Sequence, residues 1–449
     1  MTTVLFADRD GSAFGALAPR IVPALLPLAG VPVLERALEA LVAAGRRSAL
    51  LVVGPRAAEI ERRFGKGIRW GIALEVVRRE EGETTGDVLR RLEPRLDGET
   101  VVVRGDIGAH GAIGEFLERL EGARGPVVEA TSAGRPAGMW RLLPGALKKK
   151  EFPREPADAA WKRDPDFAAL PLETTPVLVD GVASYRRADA EHAGGRVAVS
   201  GRAHADADVR LEGSTTIGEE AAALGGARLV NASILPRTAI PPGVTLENAV
   251  VSGNLVVDAA TGAARLLTDL LPARSTPRGS GRTLGFAALA LSLPLWPVAA
   301  VWSAIANAGH VTGAVTFMGN APDGSRAPFT AFRFETAVPV LRDLPLLLAV
   351  AAGRLAFAGV TPLTPPEEAA LSAPWEKVRG EAPAGLISLA RLAVPASAPP
   401  EVARVVDAFD ARRPSPLLGR ALRALFSARA WTAPRVWNPD VLREEKEKA

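Results

Sequence analysis

Apolar positions change their period along this chain, and each change marks a new unit. Thr3 to Ala7 is a short continuous apolar run, followed by a loop through Gly11 and Gly15. Val33 to Ala44 then spaces Leu34, Ala37, Leu38 and Leu41 as one face of a helix. Ser48–Val53 is again continuous and reads as a buried strand. A helix over Ala57–Phe64, a strand over Ala73–Val77, a helix over Thr85–Leu92 and a strand over Thr100–Val103 follow. Strands alternating with helices predict an α/β fold, a mostly parallel sheet with both faces covered, over residues 1–190. Ligands of such sheets lie at the carboxyl ends of the strands. That edge holds the loop from Ala7 to Pro23 and the turn Arg104-Gly105-Asp106.

From Val199 the period becomes six: Val199, Ala205, Leu211, Ile217, Ala223, Leu229 and Leu235, then a one-residue slip to Ile240 and Leu246. One apolar residue per face of a three-sided coil predicts a β-helix over 191–260. At about three coils it is short, which implies stacking on a neighbour or on another chain, so an oligomer is expected. Thr261 to Arg282 is rich in Gly, Ser, Pro and Arg, and reads as a flexible basic linker.

Period then gives way to a continuous apolar run. Leu284 to Ala306 holds no charge, within a charge-free stretch of about 40 residues from Thr283 to Pro322. A helix of about 20 apolar residues reaches across hydrocarbon. Pro294 and Pro297 interrupt this one, and each removes an amide donor. Arginines flank both sides, Arg274, Arg278 and Arg282 before it and Arg326 and Arg333 after it, so positive-inside bias gives no direction. A helix that enters one leaflet, breaks at the prolines and returns fits both facts; a buried core helix is the alternative. The expectation is a monotopic anchor in the cytoplasmic membrane, with the soluble domains facing the cytoplasm. The rest of 283–431 ends in an amphipathic basic helix, Leu417–Trp431, suited to anionic lipid or to an ordinary core. Residues 432–449 form a solvated tail.

Composition adds exclusions. Cysteine is absent and only four histidines occur, which removes disulfides, thiolate zinc sites and cysteine nucleophiles. The net charge of +4 comes without a basic stripe interleaved with aromatics, so nucleic acid is not an expected partner. The start, MTTVLFADRDG, lacks the apolar length of a signal peptide.

Three stretches carry resemblances to known families. Pro23 to Gly45, PALLPLAGVPVLERALEALVAAG, with VVGPRAAEIERRFGKGIRWGIALEVVRREE and VVVRGD after it, resembles the sugar-nucleotide pyrophosphorylases. These nucleotidyltransferases join a sugar 1-phosphate to a nucleoside triphosphate. The likeness covers about residues 3–190 and ends in VDGVASYRRADAEH. It implies a Gly-rich loop with an Arg for the triphosphate, a Lys before a Leu-Pro pair and an Asp for magnesium. Gly11, Thr84 and Asp106 match as substrate-binding positions, and Asp106 also as the metal ligand. Arg9 stands for a Gly, Ala13 for the Arg, Pro23 for the Lys and Glu83 for a Gly. A phosphate site without its cations cannot neutralise a triphosphate.

The repeat, clearest in GARLVNASILPRTAIPPGVTLENAVVSGNLVVD, resembles the left-handed hexapeptide β-helix attached to many such enzymes. Hexapeptide acyltransferases use a coil histidine, for which His204 is the candidate.

GAVTFMGNAPDGSRAPFTAFRFET, RDLPLLLAVAAGRLAFAGVTPLTPPEEAAL and WEKVRGEAPAGLISLARL, following a proline-broken apolar helix, resemble the bacterial sugar transferases. These are polyprenyl-phosphate sugar-1-phosphate transferases of surface polysaccharide synthesis. The resemblance implies an Asp-Glu pair at a helix start before Leu-Pro, the Asp as nucleophile and the Glu on Mg2+. Here the pair is Arg342-Asp343: Asp343 keeps the Glu position, as catalytic and metal candidate, and Arg342 replaces the nucleophile. Of a basic pair before that helix Arg333 remains and Glu335 replaces the other, while Gly359-Val360-Thr361-Pro362 lacks the Arg of the phosphate-binding turn. One residue along a helix is a turn of about 100°, so Asp343 is expected to point away from the position of Arg342.

Together these readings imply a membrane-associated sugar transferase family protein in exopolysaccharide biosynthesis, catalytically degenerate and acting as a scaffold or regulator. The alternatives are an active polyprenyl-phosphate sugar-1-phosphate transferase needing Mg2+ and a sugar nucleotide, or a sugar-1-phosphate nucleotidyltransferase. Expected partners are the membrane with its polyprenyl phosphate, a sugar nucleotide and polysaccharide-assembly proteins.

Overall fold

The computed structural model describes residues 2–96, 98–108, 111–148, 168–272, 281–306, 310–321, 325–395, 397–413 and 417–425. The first unit begins with β1 (Thr2–Ala7), the small hairpin β2–β3 (Pro27–Leu28, Val31–Pro32) and α1 (Val33–Ala43). Then come β4 (Ser48–Val53), α2 (Ala57–Phe64), β5 (Ala73–Arg78), α3 (Thr85–Leu92) and β6 (Thr100–Arg104). It continues with α4 (Gly111–Arg119), β7 (Val127–Ser132), β8 (Arg135–Leu142), β9 (Ala168–Pro171) and α5 (Val182–His192). The large sheet has seven strands in the order β5-β4-β1-β6-β8-β7-β9. Neighbours from β5 to β6 pair in parallel, and β8 runs antiparallel to both β6 and β7. The central strands β1, β4 and β6 are largely apolar because both faces are covered. Leu5, Leu51 and Val103 face a core with α1 and α4, whereas Phe6, Val52 and Val102 face another with α3. The strand and helix calls of the α/β unit therefore hold.

In the repeat, parallel ladders form three faces. Val199, Ile217, Ile234 and Val251 stack on one, Ala205, Ala223 and Ile240 on the second, and Leu211, Leu229 and Leu246 on the third. The slip lies one turn earlier than the period suggested. Ile234, not Leu235, takes the inward position, and Leu235 packs instead against the first unit with Phe14 and Tyr185. Both residues are apolar, so period alone could not choose between them. One side face of the repeat packs on the first unit. Asp189 of α5 accepts from the hydroxyls of Thr216 (2.5 Å) and Ser233, and Arg186 donates to the carbonyls of Asn231 (2.8 Å) and Ser214.

The start of the segment expected as a linker is regular structure. Ala264–Leu266 extends the sheet of the repeat, and Leu267, fully buried, plugs the end of its core. Residues 273–280 lie outside the described set.

The apolar run is two helices, α6 (Arg282–Ser292) and α7 (Leu295–Ala306), bent by 67° at a break that contains Pro294. A proline there cannot continue the hydrogen-bond ladder. Among the described residues no single helix is long and apolar enough to cross a membrane; this bent pair passes by length and composition only. The pair is packed on one side, where Ala299 is buried with Phe334 and Leu341, and open on the other: Leu291 is 84% exposed, Ile305 78% and Val301 60%. Beyond it lie a hairpin (Thr312–Asn320 paired with Arg326–Phe334) and the short helices α8 (Pro339–Asp343), α9 (Leu346–Ala351), α10 (Pro365–Ala369), α11 (Pro374–Lys377) and α12 (Leu389–Ala393). Helices α13 (Pro400–Arg412) and α14 (Leu417–Leu425) close the unit. Val405 and Phe409 of α13 enter the core of the repeat, which joins the last unit to the middle one. Leu417 and Ala421 are the buried face of α14, while Leu422 and Leu425 stay exposed. Residues 426–431 of the expected amphipathic helix lie outside the described set.

Candidate functional site

Two polar centres sit where the sequence placed chemistry. The first is at the carboxyl ends of β1 and β6. Asp8 follows β1, and its buried carboxylate accepts from Arg79 (2.5 Å) with Arg104 at 3.2 Å. Asp106, also buried, is gripped by Arg104 (3.0 Å) and by Arg9. Gly138, at a φ of +76°, makes room for Arg104: a Cβ there would lie 2.9 Å from its Cγ. Burial alone would raise the pKa of Asp106, but the charges of Arg104 and Arg9 outweigh it and hold the group down at about 2.

The remaining candidates of this unit and of the repeat make local contacts. Thr84 caps α3 in a reciprocal box with Asp87, accepting from the Asp87 amide and receiving its carboxylate on the Thr84 amide. Gly11 is a left-handed turn residue (φ +85°) packed over Pro23. Glu83 is tied to Arg91 at 2.8 Å, and its carbonyl accepts from Arg79. His204 is exposed and shares Asp206 with Arg420, at 3.1 Å and 2.9 Å. The sequence reading did not single out Asp8, Arg79 or Arg104 as members of one network. The available signal was a charged residue directly at the end of each continuous apolar strand.

The second centre opens into a cavity of about 860 Å3 beneath the bent helix pair. Its walls come from α6, α8, α9, α12, α13 and α14, and they are mostly apolar. Local sequence builds the polar end. Pro339 starts α8, which ends at Asp343, one residue before Leu344 and Pro345 lead into α9. The Arg342-Asp343 pair thus closes a helix rather than opening one. Ser388 caps α12 by accepting from the Arg391 amide, and the Arg391 guanidinium donates to the Leu386 carbonyl at 2.7 Å.

Three guanidiniums converge on Asp343. Arg333 donates at 2.5 and 3.0 Å, Arg342 lies at 3.2 Å and Arg391 at 3.9 Å. The expectation that Asp343 points away from Arg342 is corrected, because both line the same cavity and the long arginine side chain folds back over its neighbour. Burial raises the Asp343 pKa, yet Arg333, Arg391 and Arg342 together bring it below the ordinary value. The Arg333 guanidinium is pushed down by burial, up by Asp343 and down again by the like charge of Arg342. Glu335 is exposed at the end of the hairpin.

A further polar cluster lines the cavity wall. Asp407 accepts from the Thr361 amide (3.1 Å) and from Arg379 (3.2 Å), and Thr361 and Ser388 hydroxyls meet at 2.7 Å. Burial raises the Asp407 pKa, although Arg379 opposes it. Sequence reading missed this cluster, and Arg391, because its members come from separate elements.

Magnesium does not fit either centre. Among the described residues no group of three or more His, Cys, Asp or Glu could hold a metal ion. Asp106 and Asp343 each face arginines, whose charge repels a divalent cation.

No protein-family profile matches the chain. It is 29% identical over 150 residues to the bifunctional protein GlmU of Parvibaculum lavamentivorans, which covers 31% of this chain and 31% of that relative. The chain thus spans about a third of the length of the curated relative that it matches. A Bacillus anthracis protein described as a glucose-1-phosphate thymidylyltransferase, crystallised with sucrose, covers 43% of this chain and 95% of its own. Its identity is 13% and its TM-score 0.36. The first unit has a largely parallel sheet, and over 150 residues the chain is similar in sequence to this GlmU.

Proposed function

We propose that this chain is a membrane-associated protein of surface polysaccharide assembly, related to sugar-nucleotide enzymes, that works as a scaffold or regulator without turnover. One observation carries the reading: the carboxylate available for phosphosugar transfer, Asp343, is held by Arg333, Arg342 and Arg391. A carboxylate in that field is a poor nucleophile and offers no place for a metal. Asp106, held by Arg9 and Arg104 in the nucleotidyltransferase-like unit, supports the same conclusion. Exposed Leu291, Val301 and Ile305 on the bent helix pair support contact with the cytoplasmic leaflet. The ligands of this reading are a polyprenyl phosphate or a sugar nucleotide, and its protein partner is an active transferase.

A second reading has its own observation. Asp343 lines the cavity beside Arg342, so it reaches the space a substrate would occupy, and an active transferase with Asp343 as nucleophile follows. One experiment separates the two. Full-length protein in a membrane mimetic is incubated with undecaprenyl phosphate, Mg2+ and a panel of UDP-sugars, beside Asp343→Asn. The scaffold reading expects no nucleoside monophosphate from either protein. Release that disappears in the variant establishes the transferase instead.

A further inference from the structure

We infer that the amino-end edge of the large sheet, opposite the edge that holds Asp8 and Asp106, docks on an anionic lipid surface, with Ile68 entering the head-group layer among a group of cations. This goes beyond the contact of the bent helix pair, because it sets the first unit on the bilayer as well. Exposure is the first observation. Ile68 is 81% exposed, in the range of Leu291 (84%) and Ile305 (78%) of the bent pair and above every other large apolar side chain among the described residues. Leu143, at 38%, is the other exposed large apolar side chain described in residues 1–190, and it lies on the same edge. It follows β8, whose Leu142 pairs with Thr100 at the start of β6. At ordinary strand spacing the two apolar points stand about 15–20 Å apart along that edge.

The loop that carries Ile68 is a built turn. The Trp70 amide donates to the Gly67 carbonyl (2.9 Å), the Gly71 amide to that of Ile68 (3.0 Å) and the Leu74 amide to that of Lys66 (3.0 Å). Trp70, half-buried, packs on Phe64 at the end of α2 with ring centroids 4.8 Å apart. Gly67 has a φ of +75°, and a Cβ there would meet the Ile72 carbonyl oxygen at 2.4 Å. A turn so fixed presents Ile68 outward, where the side chain adds little to the core.

Charge is the third observation. Arg62 lies in the last turn of α2, Lys66 and Arg69 lie in the loop, and Arg46 and Arg47 adjoin it, since the Ala73 amide donates to the Arg47 carbonyl (2.8 Å). Among the described residues none of these five cations makes an ion pair, and Arg69 sits over the Trp70 ring at 5.5 Å. The carboxylates nearby are engaged elsewhere: Glu35 with Arg63, Glu61 with Arg78, Glu75 with Arg95, and Glu39 acts on Arg36. Cations around an aliphatic tip and a half-buried Trp are the make-up of a surface that rests in anionic head groups. A polyanion in solution would engage the cations but gain nothing from Ile68, whereas a deformable lipid layer takes both.

The chain has no cysteine, so one introduced thiol reports one place. Ala73→Cys, exposed beside the loop and outside the contact itself, carries a fluorophore. The full chain is reconstituted on vesicles of phosphatidylcholine alone or mixed with phosphatidylglycerol, each with a nitroxide on the head groups. The label should be quenched on the mixed vesicles and far less on phosphatidylcholine, because each cation near an anionic leaflet contributes roughly fivefold to binding. Ile68→Ser should reduce the quenching several-fold, and Lys66→Glu with Arg69→Glu should remove it. These side chains are exposed, so the variants keep the fold. A label at Val301→Cys, read in parallel, reports on the bent pair. Quenching at 301 without quenching at 73 overturns the inference and leaves the bent-pair contact standing. Quenching at 73 alone supports the inference and overturns that contact, and quenching at neither overturns both. Equal quenching at 73 on the two vesicle types, or quenching that survives Ile68→Ser or the charge reversal, also overturns the inference.

Discussion

The two arginine–carboxylate centres use the same groups to opposite ends. At the first, Asp8 and Asp106 answer Arg9, Arg79 and Arg104, and both carboxylates are sealed beneath the sheet edge. At the second, one carboxylate faces three guanidiniums at the end of an open cavity. A near-balanced, enclosed network holds strands together. One that borders a cavity leaves Arg342, Asp343 and Arg391 facing that space. The residues alone do not distinguish these cases; the space beside them does.

The comparison breaks most readily at Asp8. In Asp8→Ala, Arg79 and Arg104 lose their shared buried carboxylate, and uncompensated buried charge costs about 3–5 kcal/mol. Urea unfolding of the full chain should show that loss, and an unchanged midpoint would mean the network is not structural. Phe409→Ala, in the core joining α13 to the repeat, should cost a similar ~3–5 kcal/mol and loosen the C-terminal unit. Limited proteolysis that leaves that unit intact would contradict the shared core.

Acid acts next. The folded pKa of Asp106 lies at about 2 against an ordinary 3.8. A depressed pKa stabilises above the unfolded value and the gain disappears as pH falls through the folded one, so about 2 kcal/mol should be lost between pH ~4 and ~2. Asp106→Asn should flatten the pH dependence of unfolding in that window, and an identical slope in the variant would refute the assignment.

The smallest stability effect is expected at the open centre. Arg342→Ala removes one attraction to Asp343 and one repulsion of Arg333, so unfolding should shift by no more than about 1 kcal/mol. A loss as large as that of Asp8→Ala would make the two centres alike and the cavity incidental.

Much of this was legible in the chain. Continuous apolar runs at Val4–Ala7, Ser48–Val53 and Thr100–Val103 dictated the parallel strands, because strands covered on both faces admit no polar alternation. The six-residue period dictated stacked coils, and Pro294 dictated the break between α6 and α7. Asp343 and Asp106 were legible as candidates, though not what holds them. Arg342 and Arg333 stand close in sequence to Asp343, yet Arg391 arrives from α12, and Arg104 meets Asp8 only because β1 and β6 pair. Whether Ile234 or Leu235 turned inward was decided by the first unit packing on the repeat. Periodicity is a local property, set by side chains a few residues apart, and the sequence determined it alone. Which charges share a space, and whether that space is filled or open, depends on contacts between distant elements, and only the tertiary structure decided it.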